Sequence, residues 1–160
     1  MAWLSRNAMH GGAFGIIEAT IMMLGVMLGL SVTHDKSIII LGIVAAGVAD
    51  AVANSSAFHV AEEAEGGHTQ KEVWRATLMT FLGTVLPVVL LIVPLILFPL
   101  NKGIITSAVF GVIIISWIGN YVAKKSKKDR MRIIAEYLVM AVIAVIVTYI
   151  AGRIVQYAGI

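Results

Sequence analysis

FGIIEATIMMLGVMLGL, residues Phe14–Leu30, and IIILGIVAAGVADAVANSSAFHVA, residues Ile38–Ala61, are consecutive apolar stretches, each interrupted by one carboxylate, Glu18 in the first and Asp50 in the second. Each is close to the ~20 residues that an α-helix needs to cross ~30 Å of hydrocarbon. A carboxylate held in that layer costs roughly 3 kcal/mol or more on insertion scales and is by default the mark of an ion or proton path. The two stretches therefore set both the expected architecture, membrane-spanning helices, and the expected place of function.

The rest of the chain agrees with that architecture. Hydrophobic residues make up 59% of the 160, only 13% are charged, and the mean hydropathy is +0.95, far more apolar surface than one soluble core of this size can hide. Apolar runs fall at about 12–31, 38–61, 76–99, 104–123 and 133–157, which predicts an all-α protein of five transmembrane helices filling residues 1–160 as one transmembrane domain. The first run carries Glu18, lacks a small-x-small cleavage site and follows a single Arg, so it is expected to stay in the membrane rather than to be removed as a signal. Cysteine is absent, so any metal would be held by oxygen, imidazole or thioether. Phosphate-cradling glycine loops, dinucleotide fingerprints and hydrolase constellations are missing, so an enzyme is not expected.

Lys and Arg in short loops mark the cytoplasmic side of a membrane protein. Arg6, Lys71, Arg75, Lys124, Lys125, Lys127, Lys128, Arg130 and Arg132 fall on one side of the predicted layer, and Lys36, Lys102 and Arg153 on the other. This predicts an N-terminus inside and a C-terminus outside. The Lys124–Arg132 run then reads as a solvated anchor at the anionic leaflet rather than as a nucleic-acid site.

In the first span Gly11, Gly15, Glu18, Met22, Gly25 and Gly29 recur at intervals of four and three, which puts them within roughly 80° of one another on one helical stripe. Small residues on a stripe let membrane helices approach closely, so Glu18 and Met22 are expected in a tight helix interface, either as part of a functional site or as a packing seam with one carboxyl. Met23 falls off the stripe, towards lipid or packing. In the second span Asp50 and Asn54 share a face, with Ser55 beside them, and the same column continues to Glu62 and Glu65. Oxygen ligands carried from mid-membrane to a charged mouth resemble the wall of a cation path, although two polar groups in one turn can also simply hydrogen-bond neighbouring helices. The mouth segment Glu62, Glu63, Glu65, His68 and Glu72 is either a cation-gathering cluster or a soluble turn, and Gly66 with Gly67 predicts that the helix stops there. His59 lies on the face opposite Asp50 and is expected to be structural. Pro87, Pro94 and Pro99 predict a bent third span, the aliphatic fourth span reads as lipid-facing scaffold, and Glu136 is expected to pair with a loop Lys or Arg.

The whole chain also resembles one known family, the vacuolar iron transporter family of divalent metal and proton exchangers. The resemblance is carried by Gly15-Ile16-Ile17-Glu18-Ala19 with Met27-Leu28-Gly29-Leu30 in the first helix, by the acidic extension of the second, by Phe81-Leu82-Gly83-Thr84-Val85-Leu86-Pro87 in the third and by Thr148-Tyr149-Ile150-Ala151-Gly152-Arg153 in the fifth. It implies a homodimer in the lipid bilayer whose first helices meet at the two-fold axis. It also implies a metal path between subunits, with Glu18 as the intramembrane ligand. Where the family reads Ser-Met-Ala-x-Gly-Glu-Tyr in its second helix, this chain reads Asp50-Ala51-Val52-Ala53-Asn54-Ser55-Ser56, so Asp50 and Asn54 would take the place of the methionine and glutamate and Met22 would supply a soft ligand. The family's cytoplasmic metal-collecting domain is reduced to about Glu62–Arg75. The expectation is thus a compact exporter of Fe2+ or Mn2+ from the cytosol in exchange for protons, in a prokaryotic cell membrane. Its metal ligands would be Glu18, Met22, Asp50, Asn54, Glu62 and Glu65, with no resident cofactor and no nucleic-acid partner. The competing expectation is a non-transporting scaffold that docks a partner chain on its glycine stripe.

Overall fold

The computed structural model describes residues 6–159, with Arg6 described by its backbone alone, so the Arg6 side chain counted above for orientation lies outside the described residues. Five helices follow one another: α1 Arg6–Leu30, α2 Lys36–Glu65, α3 Gln70–Leu97, α4 Leu100–Ser126 and α5 Arg130–Ala158, with a 3-10 turn at Ser31–Thr33. All five are long and apolar enough to cross a membrane, as expected of an integral multi-pass protein. α2, α3 and α5 start before their apolar runs because polar caps begin them beyond the hydrocarbon. Asp35 accepts the Ser37 and Ile38 amides at the start of α2, and Asp129 accepts the Arg132 amide at the start of α5. Thr69 and Glu72 close a reciprocal capping box on α3. Gly66 and Gly67, at φ of 72° and 76°, end α2 where the sequence indicated.

The helices pack around α1, which touches all four others and α3 most extensively. Its glycine stripe is filled by its own chain. A Cβ on Gly15 would run into the Thr80 carbonyl and the Thr84 amide of α3, and one on Gly29 into the Thr148 carbonyl of α5. The partners repay the approach: a Cβ on Gly83 would strike the Gly12 carbonyl, and one on Gly152 the Gly29 carbonyl. The stripe therefore meets α3, α2 and α5 in turn along its length rather than offering a free docking seam.

The largest buried side chains in the centre are Met23 and Met27 of α1, Ile39 and Ile43 of α2, Leu91 and Leu95 of α3 and Ile115 of α4. Met23, read from the stripe as facing lipid or packing, is fully enclosed, because α1 has neighbours on several sides at once. The fourth span keeps an exposed apolar face, with Ile105, Val109, Ile113 and Trp117, as expected of a lipid-facing helix, but it also has a buried edge. Gly103, Ser107, Gly111, Ile115, Gly119 and Ala123 recur every four residues and form its buried edge, with Leu24 of α1 seated on Gly111. α5 is the more exposed helix, with only Ile133 and Ala141 among its buried residues. α3 runs through Pro87 and Pro94, while Pro99 lies outside it at the N-cap of α4. Ser107 of α4 donates to the Leu91 carbonyl of α3 at 2.7 Å, next to the Leu90 carbonyl that Pro94 deprives of its amide partner, and so joins the two helices at that turn.

Backbone contact at Gly83 makes a specific prediction. Gly83→Val should lower the thermal midpoint of the detergent-solubilised protein by several degrees, about 1–3 kcal/mol of overpacking. Gly12→Ala, whose added carbon would meet Met79 at an ordinary 3.5 Å, should show no comparable loss.

Candidate functional site

Glu18 is the middle residue of α1, and Asp50 sits at the middle of the 30-residue α2. Antiparallel packing of the two helices brings the midpoints together. The Asn54 amide nitrogen donates to Glu18 Oε2 and, at 2.9 Å, to Asp50 Oδ1. One side-chain amide thus draws both carboxyls to the same depth of the bundle. Asp50 Oδ2 is enclosed and has no hydrogen-bond partner. Glu18, Asp50 and Asn54 are only half-buried in the single chain, and Phe14 beside them leaves 43% of its surface open on the same flank. Mid-membrane carboxyls on an open flank are costly against lipid, so the single chain leaves this group unfinished.

A second polar group lies at the end of the bundle that carries the basic loops. Asn7 of α1 donates to Glu62 Oε2 at 2.7 Å and contacts the His68 ring at 3.0 and 3.1 Å. His68 Nε2 is 3.8 Å from Glu62 and 3.9 Å from Glu65. Glu62 is only 8% exposed, whereas Glu65 is open to solvent. The remaining acids of the expected mouth cluster are used elsewhere. Glu72 belongs to the α3 capping box, and Glu63 lies 3.4 Å from His59 and accepts from Gln70. His59 itself hydrogen-bonds Thr77 at 2.8 Å and packs edge-on against Trp74, tying α2 to α3. Glu136 pairs with Arg132 at 2.9 Å.

The six residues expected to bind metal thus divide. Glu18, Asp50 and Asn54 form one group, Glu62 and Glu65 meet His68 in another, and Met22 is half-buried against the hydrophobic core. Among the described residues no three His, Asp or Glu side chains gather into a cluster able to hold a metal ion. Asn7 was not anticipated; it lies four residues before Gly11, so extending the first-helix stripe by one turn reaches it. Chemically, the mid-membrane group offers two carboxyls and one amide, enough to share a proton or to supply part of a cation's coordination shell.

Removal of the shared donor should be costly and partly repairable. Asn54→Leu is expected to destabilise the folded protein by about 1–3 kcal/mol, because two facing carboxyls lose their hydrogen bond. Adding Asp50→Asn should recover part of that loss in a thermal melt, since an amide at position 50 can donate to Glu18; strictly additive losses would contradict the shared-donor geometry.

No protein-family model, curated protein or solved structure matches this chain.

Proposed function

We propose that the chain is a divalent metal transporter that works as a homodimer, exporting Fe2+ or Mn2+ from the cytosol in exchange for protons, in the manner of the vacuolar iron transporter family that its helix patterns resemble. The observation that carries this reading is the pairing of Glu18 with Asp50 at mid-membrane, bridged by Asn54 and leaving Asp50 Oδ2 enclosed without a partner. A structural hydrogen bond between helices needs one polar group on each side; two carboxyls drawn together in the layer where charge is most costly exceed that need.

The dimer follows from the open flank. Hard divalent ions take six or more oxygens, and one chain brings two carboxyls and an amide. A second copy laid over the α1/α2 flank would double the set, cover Phe14 and remove the carboxyls from lipid. Protons and metal then compete for the same oxygens: the deprotonated group binds the ion, and protonation from the outer side releases it. Glu62 and Glu65 near His68, too dispersed to hold an ion themselves, would raise the local cation concentration at the cytoplasmic mouth by their charge. The alternative reading, a scaffold that docks a partner on the glycine stripe, loses its surface, because α3 and α5 already occupy that stripe.

The test is metal flux in proteoliposomes holding the purified protein, with Fe2+, Mn2+, Co2+, Zn2+, Mg2+ and Ca2+ screened in the presence and absence of a pH gradient. Gradient-dependent flux of at least one transition metal is expected, falling to the protein-free level in Glu18→Gln and by at least tenfold in Asp50→Asn. Flux unchanged in both variants, or absent for every ion from folded dimeric protein, would sink the transporter assignment.

A further inference from the structure

The mid-membrane group and the group at the basic end lie on one continuous strip between α1 and α2. On α2, Asp50, Asn54, Phe58 and Glu62 recur every four residues; on α1, Glu18, Phe14, Gly11 and Asn7 recur at intervals of four, three and four. Such spacings keep each set on one helix face. The faces meet rung by rung: Asn54 bonds Glu18, the Phe58 ring lies 6.0 Å from the Phe14 ring, and Asn7 bonds Glu62. Gly11 makes room for the middle rung, since a Cβ there would come within 3.3 Å of the Phe58 ring. About 12 Å of helix separates Asn54 from Glu62, and the aromatic pair occupies the centre of that interval.

Polar, aromatic, polar is the order expected of two water-accessible regions held apart by a dry constriction, because apolar narrowings stop ions by refusing to wet. We propose that Phe58, seated over Gly11 and against Phe14, is the barrier between the Asn7/Glu62/His68 group and the Glu18/Asp50/Asn54 group, and that the path opens when the Phe58 ring leaves Gly11. The barrier rests on the transport reading for what it holds back, a divalent cation. Its effect on water and soluble reagents belongs to the protein as it assembles in the membrane and is tested without transport.

The chain has no cysteine, so Asn54→Cys places a single thiol behind the barrier. In metal-free proteoliposomes with a charged methanethiosulfonate reagent on both sides, that thiol should label slowly. Adding Phe58→Ala should raise the labelling rate at least tenfold, Phe58→Leu by a smaller factor, and Phe14→Ala in the same direction. Comparison within one thiol background removes the influence of the nearby carboxyls on reactivity. A control thiol from Ala64→Cys, on an exposed residue beyond Glu62, should label at the same rate whatever stands at position 58. Equal labelling of the position-54 thiol across the Phe58 and Phe14 variants, with at least Phe58→Leu and Phe14→Ala shown to be folded by their thermal midpoints, overturns the barrier even if metal flux is found. Faster labelling in a protein that carries no metal upholds the barrier and removes the transport reading.

Discussion

Between helices in lipid the hydrophobic effect offers almost nothing, because a leucine gains as little by facing another leucine as by facing an acyl chain. What remains is close packing and hydrogen bonding, and here both are concentrated on α1. The Gly12 backbone leaves no space for a side-chain carbon on Gly83, and the Gly29 backbone none on Gly152. These contacts bring α3 and α5 against the central helix, and the tight approach at Gly11 and Gly15 turns the Glu18 side chain towards α2 rather than into the bundle's interior. The position of the carboxyl pair thus depends on glycines that never touch it.

The same economy governs the polar groups. Most buried hydroxyls return to their own helix, as Thr20 does to Ile16 and Thr80 to Ala76, which satisfies them without joining neighbours. The side chains that cross between α1 and α2 are few and occur at two heights, Glu18 with Asn54 and Asn7 with Glu62. Glycine motifs in α3 and α5 that support the family resemblance, around Gly83 and Gly152, turn out to be packing contacts with α1. The polar side chains that reach α1 come instead from α2, at Asn54 and Glu62.

The five spans were legible because hydrocarbon thickness imposes a length that composition alone can meet. Glu18, Asp50 and Asn54 were legible because a polar side chain in an apolar run stands out. The spans' true ends were less so: α1 and α3 begin six residues before their apolar runs, and the Thr69–Glu72 capping box that starts α3 was present in the sequence as a threonine three residues before a glutamate. The buried edge of α4 was also written there, as small residues at every fourth position interrupted once by Ile115, but a largely aliphatic helix gives hydropathy little contrast by which to tell inside from outside. Phe14 and Phe58 were hidden for the same reason. Which neighbour each face of α1 would meet could not be read at all, since the stripe reports that something comes close, and helix crossing decides what.

One tie at the opposite end of the bundle bears on how α2 can move. Lys36 Nζ donates to the Ile96 and Phe98 carbonyls, both at 3.1 Å, at the end of α3, while towards its other end α2 is held to α3 by His59 on Thr77 and to α1 by Asn7 on Glu62. A rod pinned near both ends does not swing as a lever. Phe58 lies 22 residues from Lys36, about 33 Å along the axis, and directly precedes His59, so the backbone there is held from both directions. Moving the Phe58 ring calls for a turn of its own side chain, or for first releasing the His59–Thr77 bond.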